Sequence, residues 1–351
     1  MSRLRFNPSE ILVLALILVP CLAGGVYAIF SLSGSKPNRV ASSNLINPSP
    51  EPPAQTESTF ADVAAVPDGV FAYGGSTTWA PVRGKLDLLI QQAYPSFQLR
   101  YTEDDVAKPG SGTGIKMLLE SQLSFSQSSR ALKDEEYQQA KDLGFAITQT
   151  PVAADGIAVT VNPNLSIDGL SLADLGRIYR GEVTNWQEVG GPDLAITPYT
   201  RRREDSGTVE FFVEAVMDDA DFGSAVVFVD TLTIGLQQVA QDTGGIYYGS
   251  APEIVPQCKA KPLPLINDVG DITSPYQGAY VLPSQCPAER NEINFAAFQS
   301  GAYPLTRPLY VISRDDDPAA SEAAEAYAQL LLTDQGQRLI QEAGFVPIRA
   351  E

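Results

Sequence analysis

The chain has 351 residues, with 24 lysines and arginines against 42 aspartates and glutamates, a formal charge of −18 and no histidine. So acidic a chain, without a basic stripe, is excluded as a nucleic-acid binder because the phosphate backbone would be repelled. Lacking histidine, it cannot use a His-based triad, His-ligated zinc or imidazole acid–base chemistry, and its three cysteines cannot build a four-cysteine metal site.

Residues 11–30, ILVLALILVPCLAGGVYAIF, carry no charge and follow Arg3 and Arg5. That length spans a bilayer, and the basic flank places the N-terminus in the cytoplasm. Segment 1–33 is therefore expected to be an uncleaved membrane anchor. The alternatives are a signal peptide cut near Val26-Tyr27-Ala28, or a lipoprotein modified at Cys21, although Pro20 fits a lipobox poorly. Each of these exports the rest of the chain. Segment 34–66 holds Pro37, Pro48, Pro50, Pro52 and Pro53 among Ser, Asn and Glu, and reads as a flexible or partly extended linker.

From Pro67 onward strands and helices alternate, which predicts an α/β architecture. DGVFAYGGSTTWAPV reads as strand, glycine turn and helix start. KLDLLIQQAY places Leu86, Leu89, Ile90 and Ala93 on one helical face, and FQLRYTE is a strand. IKMLLESQL is a helix and GIAVTVNP a strand. SLADLGRIYRGEV begins on Ser171 with Asp174 and stops at Gly181. VEFFVEAVM, 318–332 and 335–343 are helical. Trp79 and Tyr199 flank two of the turns and are expected to pack at the base of the fold. The acidic runs 134–136 and 314–317 read as helix starts or solvated faces, not as metal carboxylates. Cys258 and Cys286, the only cysteines of the folded part, are spaced to allow a disulfide in an oxidising compartment, worth about 3–4 kcal/mol by loop closure; two unpaired thiols are the alternative.

Three times a glycine, serine or threonine turn leads into a helix: GGSTTWAP (74–81), GSGTG (110–114) and DSGT (205–208). The first turn of a helix leaves backbone N–H groups unpaired at the positive end of the dipole, and small residues let an anion approach them. A plain N-cap is the competing reading of each turn. At the third, Arg202 lies four residues before Ser206 and can fold back over the amides of Ser206, Gly207 and Thr208 to hold a small anion. Against this stands a solvated basic loop in which Arg201, Arg202 and Arg203 pair with Glu204 and Asp205.

GGSTTWAP, PGSGTGIKMLLESQLSFSQSSRAL, PVAADGIAVTVNP, LSLADLGRIYRGEVTNWQEVGG, RRREDSGTVEFF and LLLTDQGQRLIQEAGFVPI occur in this order. Together they resemble the periplasmic phosphate-binding subunits of ABC uptake systems, within the type II solute-binding protein superfamily, over the whole folded region. The resemblance implies two α/β lobes with a ligand cleft and a hinge. Lobe one would comprise 67–159 and 309–351, and lobe two 160–308. It further implies inorganic phosphate held by Thr77, Thr78 and Ser111 from lobe one and Arg202, Ser206, Gly207 and Thr208 from lobe two. Such a protein is no enzyme, needs no cofactor, is generally monomeric, and partners the membrane subunits of an ABC permease from the periplasmic side of the inner membrane; a phosphate sensor would use the same site. Family members place an aspartate after the second helix to accept the proton of hydrogen phosphate. Here that place falls to Ser129, followed by Arg130, which would add a second cation or lie on the surface. A neutral hydroxyl repels a proton-less dianion far less than a carboxylate does, so sulfate or arsenate remain alternative ligands. A phosphatase-type enzyme sharing the anion site is the less favoured reading.

Overall fold

The structure, a computed structural model, describes residues 57–203, 206–267 and 269–349; segment 1–33 and the first part of 34–66 lie outside the described residues. Nine strands form one continuous sheet among the described residues. In spatial order it runs Phe97–Tyr101, Gly69–Gly75, Phe125–Ser128, Thr306–Arg314, Ile147–Val161, Gly245–Ser250, Thr197–Thr200 and Val227–Phe228, with Lys261–Pro262 also pairing Ile147–Val161.

The strand Ile147–Val161 ties the molecule together. Over its first part it pairs antiparallel with Thr306–Arg314, and from Ile157 to Val161 with Gly245–Ser250. Two bodies therefore share one strand and divide the apolar residues between them. The first body packs helices Ala80–Ala93, Pro318–Leu332 and Asp334–Glu342 on one face of its sheet, around Phe71, Leu86, Phe125, Val311 and Tyr327. Its other face carries Ser111–Leu119 and Asp134–Leu143 around Ile115, Leu118 and Ile312. Val311 and Ile312 fall into different clusters because successive strand residues point to opposite faces. The second body gathers Ile157, Tyr179, Phe212, Ile246 and Tyr248 around helices Leu172–Tyr179, Gly207–Met217 and Leu232–Gln241.

Local signals act as their chemistry requires. Ser171 Oγ accepts from the Asp174 amide at 3.0 Å, and Gly181 takes a φ of +78°, a left-handed stop. Asp317, last of the acidic run 314–317, caps the helix Pro318–Leu332 through the Ala319 and Ala320 amides. The helix expected after GSGTG starts within that stretch, at Ser111, and ends by Leu119, shorter at its C-terminus than IKMLLESQL suggests, because Ser121 turns left-handed at φ +61°. Cys258 and Cys286 are joined in a disulfide with Cα atoms 5.6 Å apart.

One expectation needs correction. The last residues of the proposed linker 34–66 are fixed on the first body. Phe60 is 2% exposed in its core, and its carbonyl accepts from Tyr94 Oη at 2.7 Å. Ser58 N–H and Oγ both donate to Asp334 Oδ2, at 2.7 and 2.9 Å. Burial of one aromatic and this bidentate contact outweigh the entropy that composition alone assigned to the segment.

Candidate functional site

Each body presents the carboxyl ends of parallel strands to the crevice between them, the usual place for ligands in open α/β sheets. From the first body, Gly69–Gly75 runs into the turn Thr77–Trp79, and Phe125–Ser128 runs into Ser129. From the second, Thr197–Thr200 runs through the arginines to Ser206 and the helix Gly207–Met217. The turns are rigidly seated. Ser76 N–H donates to the Gln127 carbonyl at 2.8 Å, and Trp79 Nε1 donates to the Ser128 carbonyl at 3.1 Å. Trp79 is fully buried, and Tyr199 is buried with its hydroxyl donating to Asp242 at 3.0 Å, so both serve packing.

Between the turns lies a cavity of about 90 Å³, room for a few waters or one small polyatomic ion. Thr77 and Thr78 line it from one body, and Arg201, Ser206, Thr208 and Glu253 from the other. Four of the residues expected at the anion therefore meet at one cavity. Ser111, Ser129 and Gly207 meet beside it instead. Ser76 Oγ donates to Ser129 Oγ at 2.9 Å, Ser111 and Ser129 hydroxyls lie 3.2 Å apart, and Ser129 N–H donates to Ser111 Oγ at 3.1 Å. A Cβ placed on Gly207 would come within 3.0 Å of Ser129 Oγ and 3.1 Å of Ser111 Oγ. The absent side chain at 207 is what lets the second body's helix start close onto this serine cluster.

Two arginines stand differently from expectation. Arg202 is exposed, its guanidinium 5.1 Å from the centre of the Phe228 ring, and the neighbouring Arg201 lines the cavity. Consecutive residues leaving a strand point to opposite sides, so only one of the pair can face the crevice. Arg130 is neither at the cavity nor on the surface. It is 9% exposed, forked on Glu136 (Nη2 to Oε1 2.7 Å, Nη1 to Oε2 3.0 Å), and its Nε donates to Glu210 of the opposite body at 2.9 Å. Lys133 reaches the same Glu210 at 2.9 Å. These contacts clamp the two bodies together.

The residue that sequence reasoning missed is Arg307. It lies on Thr306–Arg314, 1% exposed, directly across from Asp155 on Ile147–Val161, which is 0% exposed. Its Nε and Nη2 donate to Asp155 Oδ2 at 3.1 and 2.9 Å, and Ser250 Oγ donates to Oδ1. Burial pushes the Asp155 carboxyl up, against the opposing pull of Arg307 and Ser250. Asp155, the one charge in VAADGIAVTV, and Arg307, the one charge in RPLYVI, are the signal that could have found the pair. Glu253 is exposed. Surrounding protein and Asp155 nevertheless push its carboxyl up to about 6, while Arg201 and Arg307 pull it down. The arrangement gathers hydroxyls, helix-start amides and guanidinium groups, which suits holding an anion.

Known proteins agree with this architecture. The PBP superfamily domain matches residues 49–335. The chain is 28% identical over 276 residues to the phosphate-binding protein PstS of Staphylococcus haemolyticus, covering 78% of this chain and 79% of the relative. It is 28% identical over 255 residues to the protein SphX of Synechococcus elongatus, covering 70% and 69%. An ABC-type phosphate transport receptor from Vibrio cholerae superposes with a TM-score of 0.60 at 22% identity, over 79% of this chain and 99% of that one. The last comparison speaks for the fold alone: two α/β lobes about a cleft, the periplasmic binding arrangement. Matched over most of its length and folded accordingly, the chain belongs to the PBP superfamily domain family.

Proposed function

We propose that this chain captures inorganic phosphate between its two lobes, on the outer side of a membrane, and hands it to the membrane subunits of an ABC permease or reports it to a membrane partner. The observation that carries the reading is the cavity where Thr77 and Thr78 of one lobe face Arg201, Ser206 and Thr208 of the other. The names of the relatives, phosphate-binding proteins among them, support the choice of anion. Arg201 takes the role that spacing gave to Arg202, and Ser111, Ser129 and Gly207 seal the cavity's side. The strands Ile147–Val161 and Thr306–Arg314 act as the hinge. The chain works as a monomeric receptor, not an enzyme: with no histidine in the sequence, its site offers donors and charge. The uncharged run 11–30 behind Arg3 and Arg5 supports a membrane tether, which would keep the receptor concentrated near its permease. No helix among the described residues is long and apolar enough to cross a membrane.

Calorimetric titration of the full-length chain, freed of ligand, with phosphate and then with sulfate tests this. Micromolar or tighter phosphate binding is expected, weakened in Arg201→Ala far more than in Arg202→Ala. Equal binding of sulfate would make the protein a general oxyanion receptor. A folded chain that binds neither anion would refute the proposal.

A further inference from the structure

Arg307 makes more contacts than an ion pair requires. Nη2 carries two N–H groups: besides the one on Asp155 Oδ2, the other is shared between Thr78 Oγ1 at 3.0 Å and Thr208 Oγ1 at 2.8 Å. Thr78 belongs to the turn of the first lobe, Thr208 to the helix start of the second, and both line the cavity. Nη1 is buried and has no hydrogen-bond partner among the described residues. The guanidinium thus joins the two lobes at the cavity wall while its own hydrogen bonding stays incomplete.

A threonine hydroxyl is one donor and an acceptor on a free rotor. Left alone, it can turn either a proton or a lone pair toward a neighbour. When its oxygen accepts from a guanidinium, the proton is directed away from that cation. Two such hydroxyls at the wall of a cavity become fixed donors, which an oxyanion needs, and lone pairs that would repel it are occupied. The shared N–H of Nη2 serves both hydroxyls only when Thr78 and Thr208 are brought together, so the alignment is complete only with the lobes closed. The position on the hinge strands suits this, since Arg307 and Asp155 face each other across two paired strands.

We propose that Arg307 is a positioning residue for the anion site: on closure it fixes the hydroxyls of Thr78 and Thr208 as donors to the bound phosphate. The inference rests on the phosphate reading above and adds a residue that acts through the two threonines. Asp155 holds the guanidinium in place and balances its charge.

The test uses the full-length chain titrated calorimetrically with inorganic phosphate. Wild type is compared with Arg307→Lys and with the charge-neutral pair Asp155→Asn/Arg307→Met, each with and without Thr208→Val. Lysine keeps a charge opposite Asp155 but lacks the fork that reaches both threonines, so this variant removes no buried charge. Both replacements should weaken phosphate roughly ten- to hundredfold, the range for hydrogen bonds to charged groups. Melting without phosphate should change little in the lysine variant. Thr208→Val should cost less in either background than in wild type, because the hydroxyl is already unaligned. Near-wild-type affinity in the folded variants, or effects that multiply independently, would overturn the positioning role and leave the phosphate reading standing. A folded wild type that ignores phosphate would overturn both.

Discussion

Replacing Glu210 with glutamine should loosen the closed cleft without loosening either lobe. Glu210 sits in the first turn of Gly207–Met217, 22% exposed, and accepts from Arg130 Nε and Lys133 Nζ, both at 2.9 Å. On losing Glu210, Arg130 keeps its fork on Glu136, and Lys133, 48% exposed, is taken up by water. Neither cation is orphaned. Exposed pairs contribute about 0.2–1 kcal/mol, and breaking a buried pair costs about 3–5 kcal/mol because a charge is left unpaired. For two half-shielded contacts without an orphan, about 1–1.5 kcal/mol is the expected loss. That energy exists only in the closed state, so it is read out as a population shift. At about 1.4 kcal/mol per decade, phosphate affinity of Glu210→Gln should fall about five- to tenfold. Calorimetry at low and high salt supplies the assay. Because the contacts are partly exposed, the ratio between variant and wild type should narrow as salt rises. The urea midpoint without phosphate should not move. An unchanged affinity at low salt, or a loss of stability that accounts for the whole effect, would refute the clamp.

Gly207→Ala should weaken phosphate binding while leaving anion-free melting unchanged or raised. Its Cβ would press on Ser129 and Ser111 only across the closed interface, whereas alanine favours the helix itself; equal affinity would show that the serine cluster yields. Glu253→Gln should bind phosphate better than wild type above pH 6 and about equally well below it. The wild-type carboxyl, pushed up to about 6, ionises over that range and adds negative charge to the cavity. For the same raised group the contribution to folding is present below the ordinary carboxylate range and is lost as pH rises through about 6. A ratio of affinities that is flat from pH 5 to 8 would remove Glu253 from the electrostatics of the site. Cys258→Ser/Cys286→Ser should lose about 3–4 kcal/mol of stability, from a sequence separation of 28, and show no further loss in reductant. Wild type that melts identically with and without reductant would count against the linkage.

The features legible in sequence were those written locally. Ser171 with Asp174 and Gly181 each carry their signal within a few positions and sit where it points, and the three small-residue stretches each open a helical segment. What escaped depends on partners far away along the chain. Phe60 reads as a stray aromatic in a proline-rich stretch until Tyr94 and Asp334 are placed beside it and beside Ser58. The choice between Arg201 and Arg202 is a matter of which way a strand end faces, and spacing to Ser206 cannot decide it. By sequence Arg130 reads as a cation for the anion or a surface residue; its carboxylate partners, Glu136 and Glu210, one nearby and one on the other lobe, commit it elsewhere. Arg307 and Asp155 carry no motif, because their meaning arises from register across two strands.

The net charge of −18 and an anion site are compatible because they act over different distances. Within the cleft, Arg201 and Arg307 stand against Asp155 and Glu253, so the charged side chains roughly balance and the helix-start amides of Gly207–Met217 tip the local field positive. Beyond a Debye length of about 8 Å at physiological salt that local field is lost, and an approaching dianion meets the acidic envelope instead. Capture should therefore be slowed by long-range repulsion and secured by short-range contacts. Stopped-flow association with phosphate should become faster as ionic strength rises, the reverse of an electrostatically steered receptor. A rate that falls with salt would mean that the field of the cleft reaches past the surface charge, and that the acidic residues are distributed away from its mouth.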